Sequence, residues 1–405
     1  MSDYITEPQR EIPVSDKCDV LVCGGGIAGI SAALAASRAG AKVILLERQF
    51  MLGGLATLGL VTIYLPLCDG AGTQVSFGIA DELLRLSVSR GVIEDKNPRP
   101  WLENGTKEEK TKTRFEVQYN PNLFACDAEK LLVKSGVGIL YGTLAVGTIV
   151  EDKKIKSVII ENKSGRSAII AKSVVDCTGD ADICQMSGAK TALHSKGNVL
   201  AAWYYRHTAG EVKLKMLGFA DVVGNDSQSA AQQLIPTRFT GIDAKEISEM
   251  TILAHQKAVE DAMKLREADG TTVPTIFPTI PQLRMTRRIV GVATPDDTPT
   301  HKFEPTSVGL YSDWRKRGPV YELPFGALYG DDVKNLITAG RNISVTDALW
   351  DITRVIPVCA VSGEAAGTAA AMSDDFATLD VKELQNKLSA AGVKLHCPEV
   401  GLENK

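Results

Sequence analysis

The chain has 405 residues, 44% of them hydrophobic, and a formal net charge of −4 at pH 7. That is ample apolar material for a large core and two interleaved domains. The weak, mixed charge with no dominant Lys/Arg cluster argues against a nucleic-acid partner, and no apolar run reaches the length of a membrane span. The N-terminus is polar and lacks a signal-peptide core, so a cytoplasmic protein is expected. The 8 cysteines are scattered with no C-x-x-C, and the 5 histidines show no metal spacing, so no metal site is expected. Cys68 has no cysteine close in sequence, which argues against a disulfide reductase.

The chain begins its ordered pattern with an apolar run, 20–23, that reads as a buried strand. Gly24, Gly26 and Gly29 follow at once in the spacing G-x-G-x-x-G. The first glycine permits a tight turn, the second a close approach to a pyrophosphate, and the third close helix–strand packing. Residues 31–37 are small and helical, stopped by Gly40. The N–H groups around Ile27 and Ala28 would face the phosphates with the positive end of the helix dipole. A second strand, 43–47, ends in Glu47, placed to accept hydrogen bonds from a ribose. A glycine turn in an ordinary βαβ unit would not account for that Glu47.

The next residues narrow the nucleotide. Arg48 is followed by Gly53-Gly54 and then Ala56-Thr57. This continuation resembles the glutathione-reductase-type FAD-binding fold, in which a second glycine pair passes the pyrophosphate toward the flavin. Residues 55–80 read as a loop and short strand heading for the flavin ring. Within them Cys68-Asp69 forms either part of the active site or a turn. An amphipathic helix covers 80–89. Residues 97–114 read as a polar loop and 115–119 as a short strand. Asn120-Pro121 opens a helix that runs to about 134.

Residues 139–171 alternate as four short strands, the last three forming a meander with turns at 151–154 and 163–166. The strand after them runs into Thr178-Gly179-Asp180. A meander followed by such a turn resembles the same flavoprotein fold, where the turn closes over the dinucleotide and Val146 would lie by the adenine. Residues 195–320 read as a second domain. In it 198–207 is a strand carrying Tyr204 and His207, which could wall a flavin, although strand alternation places 204 and 207 on opposite faces. A long helix covers 244–267, and 275–281 is extended. Arg284, Arg287 and Arg288 then form a cationic group that would hold an anionic or carbonyl-bearing substrate, or else a salt-bridged domain interface.

The last third returns to the nucleotide domain. A buried strand from 335 ends in Gly340-Arg341. Asp351 and Arg354 lie one helical turn apart, and Val355 precedes Pro357, which suits the first turn of a helix over 358–372. Its small face, with Gly363, Ala366, Gly367 and Ala370, permits close packing against the helix after Gly29. Residues 381–391 form a closing helix.

Together these segments resemble the FAD-dependent oxidoreductase family, in the fumarate-reductase-like branch of the glutathione-reductase-type flavoproteins. The resemblance implies an α/β fold: a Rossmann-like FAD-binding domain with an inserted β-meander, over 1–85, 120–195 and 325–395. A discontinuous α+β substrate domain would occupy 86–119 and 196–324. It implies noncovalent FAD, with Gly340 and Arg341 at the ribityl chain and pyrophosphate, and Arg354 and Val355 at the flavin pyrimidine. The expected reaction is hydride transfer between FAD and a small organic substrate, with an unidentified electron donor or acceptor. The catalytic candidates are Arg288, Arg284, Tyr204 and His207. The alternative is an electron-transferring or non-catalytic flavoprotein subunit acting with a partner, and homo-oligomer formation stays open. The chain lacks a His-Pro-Thr-type motif and a second set of arginines for a dicarboxylate, which departs from the fumarate and succinate enzymes. One dinucleotide fingerprint argues against a separate NADPH site.

Overall fold

The computed structural model describes residues 4–94, 96–218 and 233–404, so the part of the expected substrate domain at 219–232 lies outside the described residues. At the centre is a seven-stranded sheet. Its order is Gly138–Tyr141, Val43–Glu47, Val14–Cys23, Gly165–Asp176, Lys154–Asn162 and Leu144–Glu151, with Leu336–Thr338 added beside Gly165–Asp176. The first four run parallel, in registers such as Val22↔Leu45 and Cys23↔Asp176. Val43–Glu47 is buried along its whole length, as a strand covered on both faces requires.

Gly165–Asp176 decides the shape of this sheet. The sequence suggests a break near 171, but the structure makes one strand of 12 residues. Its first half pairs antiparallel with Lys154–Asn162, and its last turns pair in parallel with Leu336–Thr338, through Val174↔Leu336 and Asp176↔Thr338. The meander therefore peels away while the same strand carries on into the nucleotide fold.

Two helices stack behind the strands. Ile27–Arg38 is buried on every side from Ile27 to Ala36, and Ile356–Met372 is buried from Ile356 to Ala370. Helices buried all round belong to the interior of a large core. Their contact is made by absent side chains. A Cβ on Gly363 would lie 2.4 Å from the Ala28 carbonyl oxygen, and one on Gly367 would lie 2.1 Å from that of Ala32. Glu364, on the same helix, turns outward and accepts the Ile79 N–H at 2.8 Å, which caps the amphipathic helix Ile79–Ser87.

A three-stranded sheet and the long helix packed on it form the cap. Tyr204–Thr208 pairs with Glu211–Lys215 and Val273–Ile276. The helix Ala244–Asp269 starts at Asp243, whose carboxylate accepts the N–H groups of Lys245 and Glu246, and stops at Gly270 with φ +69°. Two expectations need correction. The strand expected over 198–207 begins only at Tyr204, because the Asn198 amide bonds to Met285 O, Phe239 O and the N–H groups of Arg284 and Met285 instead of lying in a ladder. The polar stretch expected as loop contains the helix Lys107–Lys112, opened by a capping box between Thr106 and Glu109. Among the described residues no single helix is long and apolar enough to cross a membrane.

Candidate functional site

A cavity of about 590 Å³ runs along the carboxyl ends of the parallel strands and under the cap. Its floor is the glycine turn. Gly24 adopts φ +106°, with the Cys177 carbonyl oxygen 2.4 Å from where a Cβ would lie, so neither the conformation nor the space admits a side chain. Gly29 is closed off in the same way by the Gly24 carbonyl, at 1.8 Å. Gly26 differs, because a Cβ there would meet nothing within 4 Å. Two glycines serve packing, and the middle one keeps a surface of the cavity bare.

Behind Gly26 the helix Ile27–Arg38 begins with no side-chain cap and no acidic residue in its first turn. Ile27 and Ala28 line the cavity. Free N–H groups at a bare helix start are an anion site. Glu47 holds the turn in place. One carboxylate oxygen accepts the Gly25 N–H at 2.8 Å and the other the Gln49 N–H at 2.7 Å. Gly53 donates to Gly25 O at 2.8 Å, which fastens the second glycine pair beside the first. Arg48, Gly53, Gly54 and Ala56 all reach the cavity.

The opposite wall is the Thr178–Asp182 turn with Gly340-Arg341. Asp176 accepts the Thr178 N–H and hydroxyl, and Asp180 takes the Arg341 guanidinium at 2.9 Å and the Thr286 hydroxyl at 2.6 Å. Gly179 leaves room for that guanidinium, which comes within 2.6 Å of where its Cβ would be. Burial, and then the neighbouring carboxylates of Asp180 and Asp176, push the Asp182 carboxyl up to about 6 against the pull of Arg287 and Arg48. Gly340 donates to the Ser362 hydroxyl at 3.0 Å, joining this wall to the second buried helix.

That second helix, Ile356–Met372, also starts without a side-chain cap or an acidic residue in its first turn, and Val355 and Ile356 line the cavity. Two bare helix N-termini thus open on one space. Arg354 stands beside the second, bonded through two nitrogens to the fully buried Asp351. The cap closes the far side with Trp203, Met216, Ile280, Pro281, Leu283 and Arg284. Arg284 is 8% exposed, bonds to the Gln282 side-chain oxygen at 2.8 Å and lies over the Trp203 ring at 5.1 Å. Burial, and then the cations of Arg354 and Arg341, pull its pKa down to about 9, with Asp351 opposing.

Most of the residues expected at a cofactor line this cavity: Gly24, Gly26, Ile27, Ala28, Glu47, Arg48, Gly53, Gly54, Ala56, Thr178, Gly179, Asp180, Gly340, Arg341, Arg354 and Val355. Gly29 and Thr57 do not, because one is a packing contact and the other turns its hydroxyl to Leu52 O at 2.6 Å. Val146 is displaced. It falls at a bulge between Ala145↔Ile160 and Gly147↔Ile159, and Leu144 and Ala145 reach the cavity in its place.

Three of the four catalytic candidates lie elsewhere. The Tyr204 hydroxyl donates to Asp261 at 2.8 Å and its ring stacks on Phe277, inside the cap. His207 sits in the cap sheet opposite Val212 and Val273. Arg288 lies over the Trp350 ring and donates to Ile289 O. Its neighbour Arg287 bonds Asp182 at 2.7 Å and Asp180 O at 2.9 Å, an interface ion pair. Arg287–Ile289 is a strand paired with Thr191–Leu193, and its alternation sends Arg288 away. Cys68 and Asp69 form a turn in which Asp69 accepts the Ala71 and Thr73 N–H groups. Leu55, Leu58, Val61, Ile63 and Leu65, from the segment read as heading for a flavin, form an apolar wall of the cavity, whereas Trp314 and Ile280 were not marked by any spacing.

Comparison with known proteins identifies the family. The family model described as FAD dependent oxidoreductase matches residues 19–241 and 296–388. A thioredoxin reductase of Ureaplasma parvum serovar 3 is 35% identical over 71 residues, 18% of this chain, and the match spans 23% of that protein's length. Among solved structures, a geranylgeranyl bacteriochlorophyll reductase-like protein of Thermoplasma acidophilum aligns with TM-score 0.49 and 14% identity, over 94% of this chain and 93% of its own. A p-nitrophenol 4-monooxygenase of Pseudomonas putida DLL-E4 aligns with TM-score 0.49 and 11% identity, over 92% and 84%. The bare Gly26 surface and the uncapped helix start behind it fit the pyrophosphate of FAD, and by its family match the chain belongs to the FAD dependent oxidoreductases.

Proposed function

We propose that this protein holds FAD noncovalently in the cavity and passes a hydride between it and a small organic substrate admitted under the cap. The observation that carries the reading is the continuity of one cavity. The same space touches Gly26 and Glu47 at one end and Trp203, Pro281 and Arg284 of the cap at the other. In this reading the segments 1–85, 120–195 and 325–395 hold the cofactor, and 86–119 and 196–324 cover the substrate. The protein works in the cytoplasm.

Bound FAD supplies a reversible two-electron acceptor. The chain's own groups bind and orient it. The N–H groups at Ile27 and Ala28 take the pyrophosphate, and Glu47 has lone pairs left for a ribose beyond its two backbone bonds. Arg341 and Gly340 would hold the ribityl chain. The helix start at Val355, with Arg354, would stabilise the negative charge that collects on the flavin on reduction. Leu58, Ile63, Ile280 and Trp314 exclude water from the reacting face.

Acid precipitation of purified protein tests the cofactor. FAD should appear in the supernatant, whereas NAD, or no nucleotide after reconstitution, overturns the reading. An anaerobic screen of small organic compounds tests the reaction. Bleaching of the flavin by a small molecule alone supports it. Bleaching only with a second protein present makes the chain an electron-transferring subunit.

A further inference from the structure

We propose that the substrate is an apolar organic acid, and that Arg284 is the residue that binds its carboxylate. This rests on the reading of the cavity as the site of flavin chemistry.

Four arginines line the cavity, and two of the three in its interior are matched: Arg341 by Asp180 and Arg354 by Asp351. Arg284 is the third, and among the described residues no carboxylate lies in ion-pair contact with it. Asp351 favours its charge from a distance but is bonded to Arg354. A buried guanidinium without a counter-ion is costly, and the structure keeps it there deliberately. Asn198 pins its backbone, accepting the Arg284 N–H at 2.8 Å. Gln282 is itself fixed by donating to Gly59 O at 2.6 Å, and so presents its side-chain oxygen to the guanidinium. The Trp203 ring supports the planar face.

Gln282 occupies one nitrogen, and the rest of the fork is open to the cavity. A guanidinium fork matches a carboxylate better than any neutral group. The cofactor has its own positive features in Arg341, Arg354 and the two helix starts, which leaves the Arg284 charge to a different ligand. The surroundings set the rest of the molecule. Leu58, Ile63, Met216, Ile280, Leu283 and Trp314 form the space around it. They offer apolar surface and no second cation beyond those already paired. A monoacid with an aliphatic or aromatic body fits, and a compact diacid does not.

The test uses the holoenzyme and five probes: trans-cinnamate, octanoate, the two matching alcohols, cinnamyl alcohol and 1-octanol, and the compact diacid fumarate. Binding is read from the perturbation of the flavin absorbance, and FAD content is measured on the same samples. The acids should bind at least about tenfold more tightly than the alcohols. Arg284→Gln should abolish that difference while keeping FAD at the wild-type ratio, and Arg284→Lys should keep part of it. Equal binding of acids and alcohols, or no binding of either, overturns the proposal. So does loss of FAD in folded Arg284→Gln, which would assign the arginine to the cofactor. Tighter binding of fumarate than of cinnamate overturns the apolar part. Should Arg284→Gln fail to fold, the acid-to-alcohol ratio on the wild-type protein still decides. Wild-type protein that takes up no FAD sinks the underlying reading, whereas a flavin indifferent to carboxylates sinks the assignment of Arg284 alone.

Discussion

Glu47 and Gly25 are joined by a 2.8 Å hydrogen bond from the glycine N–H to the carboxylate. The acidic residue at the end of the second strand therefore shapes the glycine turn, in addition to the ribose contact proposed for it. Its other oxygen accepts the Gln49 N–H. Glu47→Gln keeps one acceptor and turns an NH₂ toward the second donor. That leaves a buried N–H without a partner, at a cost of about 1–3 kcal/mol. FAD titration and thermal melts of the apoprotein check this. Both affinity and melting temperature should fall, where a purely ribose-binding role would leave the apoprotein melt unchanged.

The glycines separate into two kinds by what a side chain would meet. Gly26→Val should abolish FAD binding while the apoprotein keeps its circular dichroism and melt, since the added carbons enter the cavity. Gly367→Ala should do the reverse, because its Cβ drives into the Ala32 backbone. Overpacking of this kind costs about 1–3 kcal/mol or more. If Gly26→Val purifies with full FAD, the pyrophosphate is not where the turn puts it.

Arg354 and Asp351 form a buried pair at the start of the second helix. Arg354→Ala leaves the buried Asp351 with only the longer 3.9 Å contact to Arg315, which costs up to about 3–5 kcal/mol. It also removes a positive charge from the pyrimidine edge, so the reduction potential of bound FAD should fall. The double change Arg354→Gln with Asp351→Asn should recover most of the stability and none of the potential. Potentiometry and urea unfolding on the two variants separate these effects, and an unchanged potential in Arg354→Ala would place the arginine outside the flavin's field.

Glu364 gives a pH dependence. Burial pushes its carboxyl up to about 7, against the opposing pull of the Ile79 N–H and Arg38. The unfolded chain loses this proton near about 4.3. The folded state therefore binds more protons between those values, and stability falls as pH rises through that window, levelling off above 7. The contribution is on the order of 3 kcal/mol. Denaturation midpoints measured across the window should fall for the wild-type protein. Glu364→Gln should remove this part of the slope and gain relative to wild type above neutrality. A parallel slope in the variant would assign the effect to another group.

The nucleotide-binding half was legible because glycine and proline carry positional meaning. Gly24 and Gly29 mark backbone positions that admit no side chain, Gly26 keeps the cavity surface bare, and Pro357 lies in the first turn of its helix as expected. The cap was less legible because tertiary contacts decide it. Aromatics at 203–205 suggest a longer strand, but the Asn198 amide diverts the chain before Tyr204. Arg284, Arg287 and Arg288 look equivalent in sequence. The Asn198 and Gln282 contacts send Arg284 to the cavity wall, and the pairing of Arg287–Ile289 with Thr191–Leu193 sends Arg287 to an interface and Arg288 to Trp350. A bulge moved Val146 by the same logic. The Lys107–Lys112 helix was a missed signal, since Thr106 and Glu109 have capping-box spacing.

The contact of Gly363 and Gly367 with Ala28 and Ala32 also sets an order of events during synthesis. The first helix leaves the ribosome long before the helix that covers its back. Until then its apolar face has no permanent partner, and the strand Leu336–Thr338 that completes the sheet has not yet emerged. Bringing such distant segments together costs loop-closure entropy before any packing is gained. The nascent chain therefore displays its glycine fingerprint early but can grip the cofactor only near the end of translation. Chaperone dependence of this protein should concentrate in that interval, and abundant free FAD would favour the last docking step by mass action.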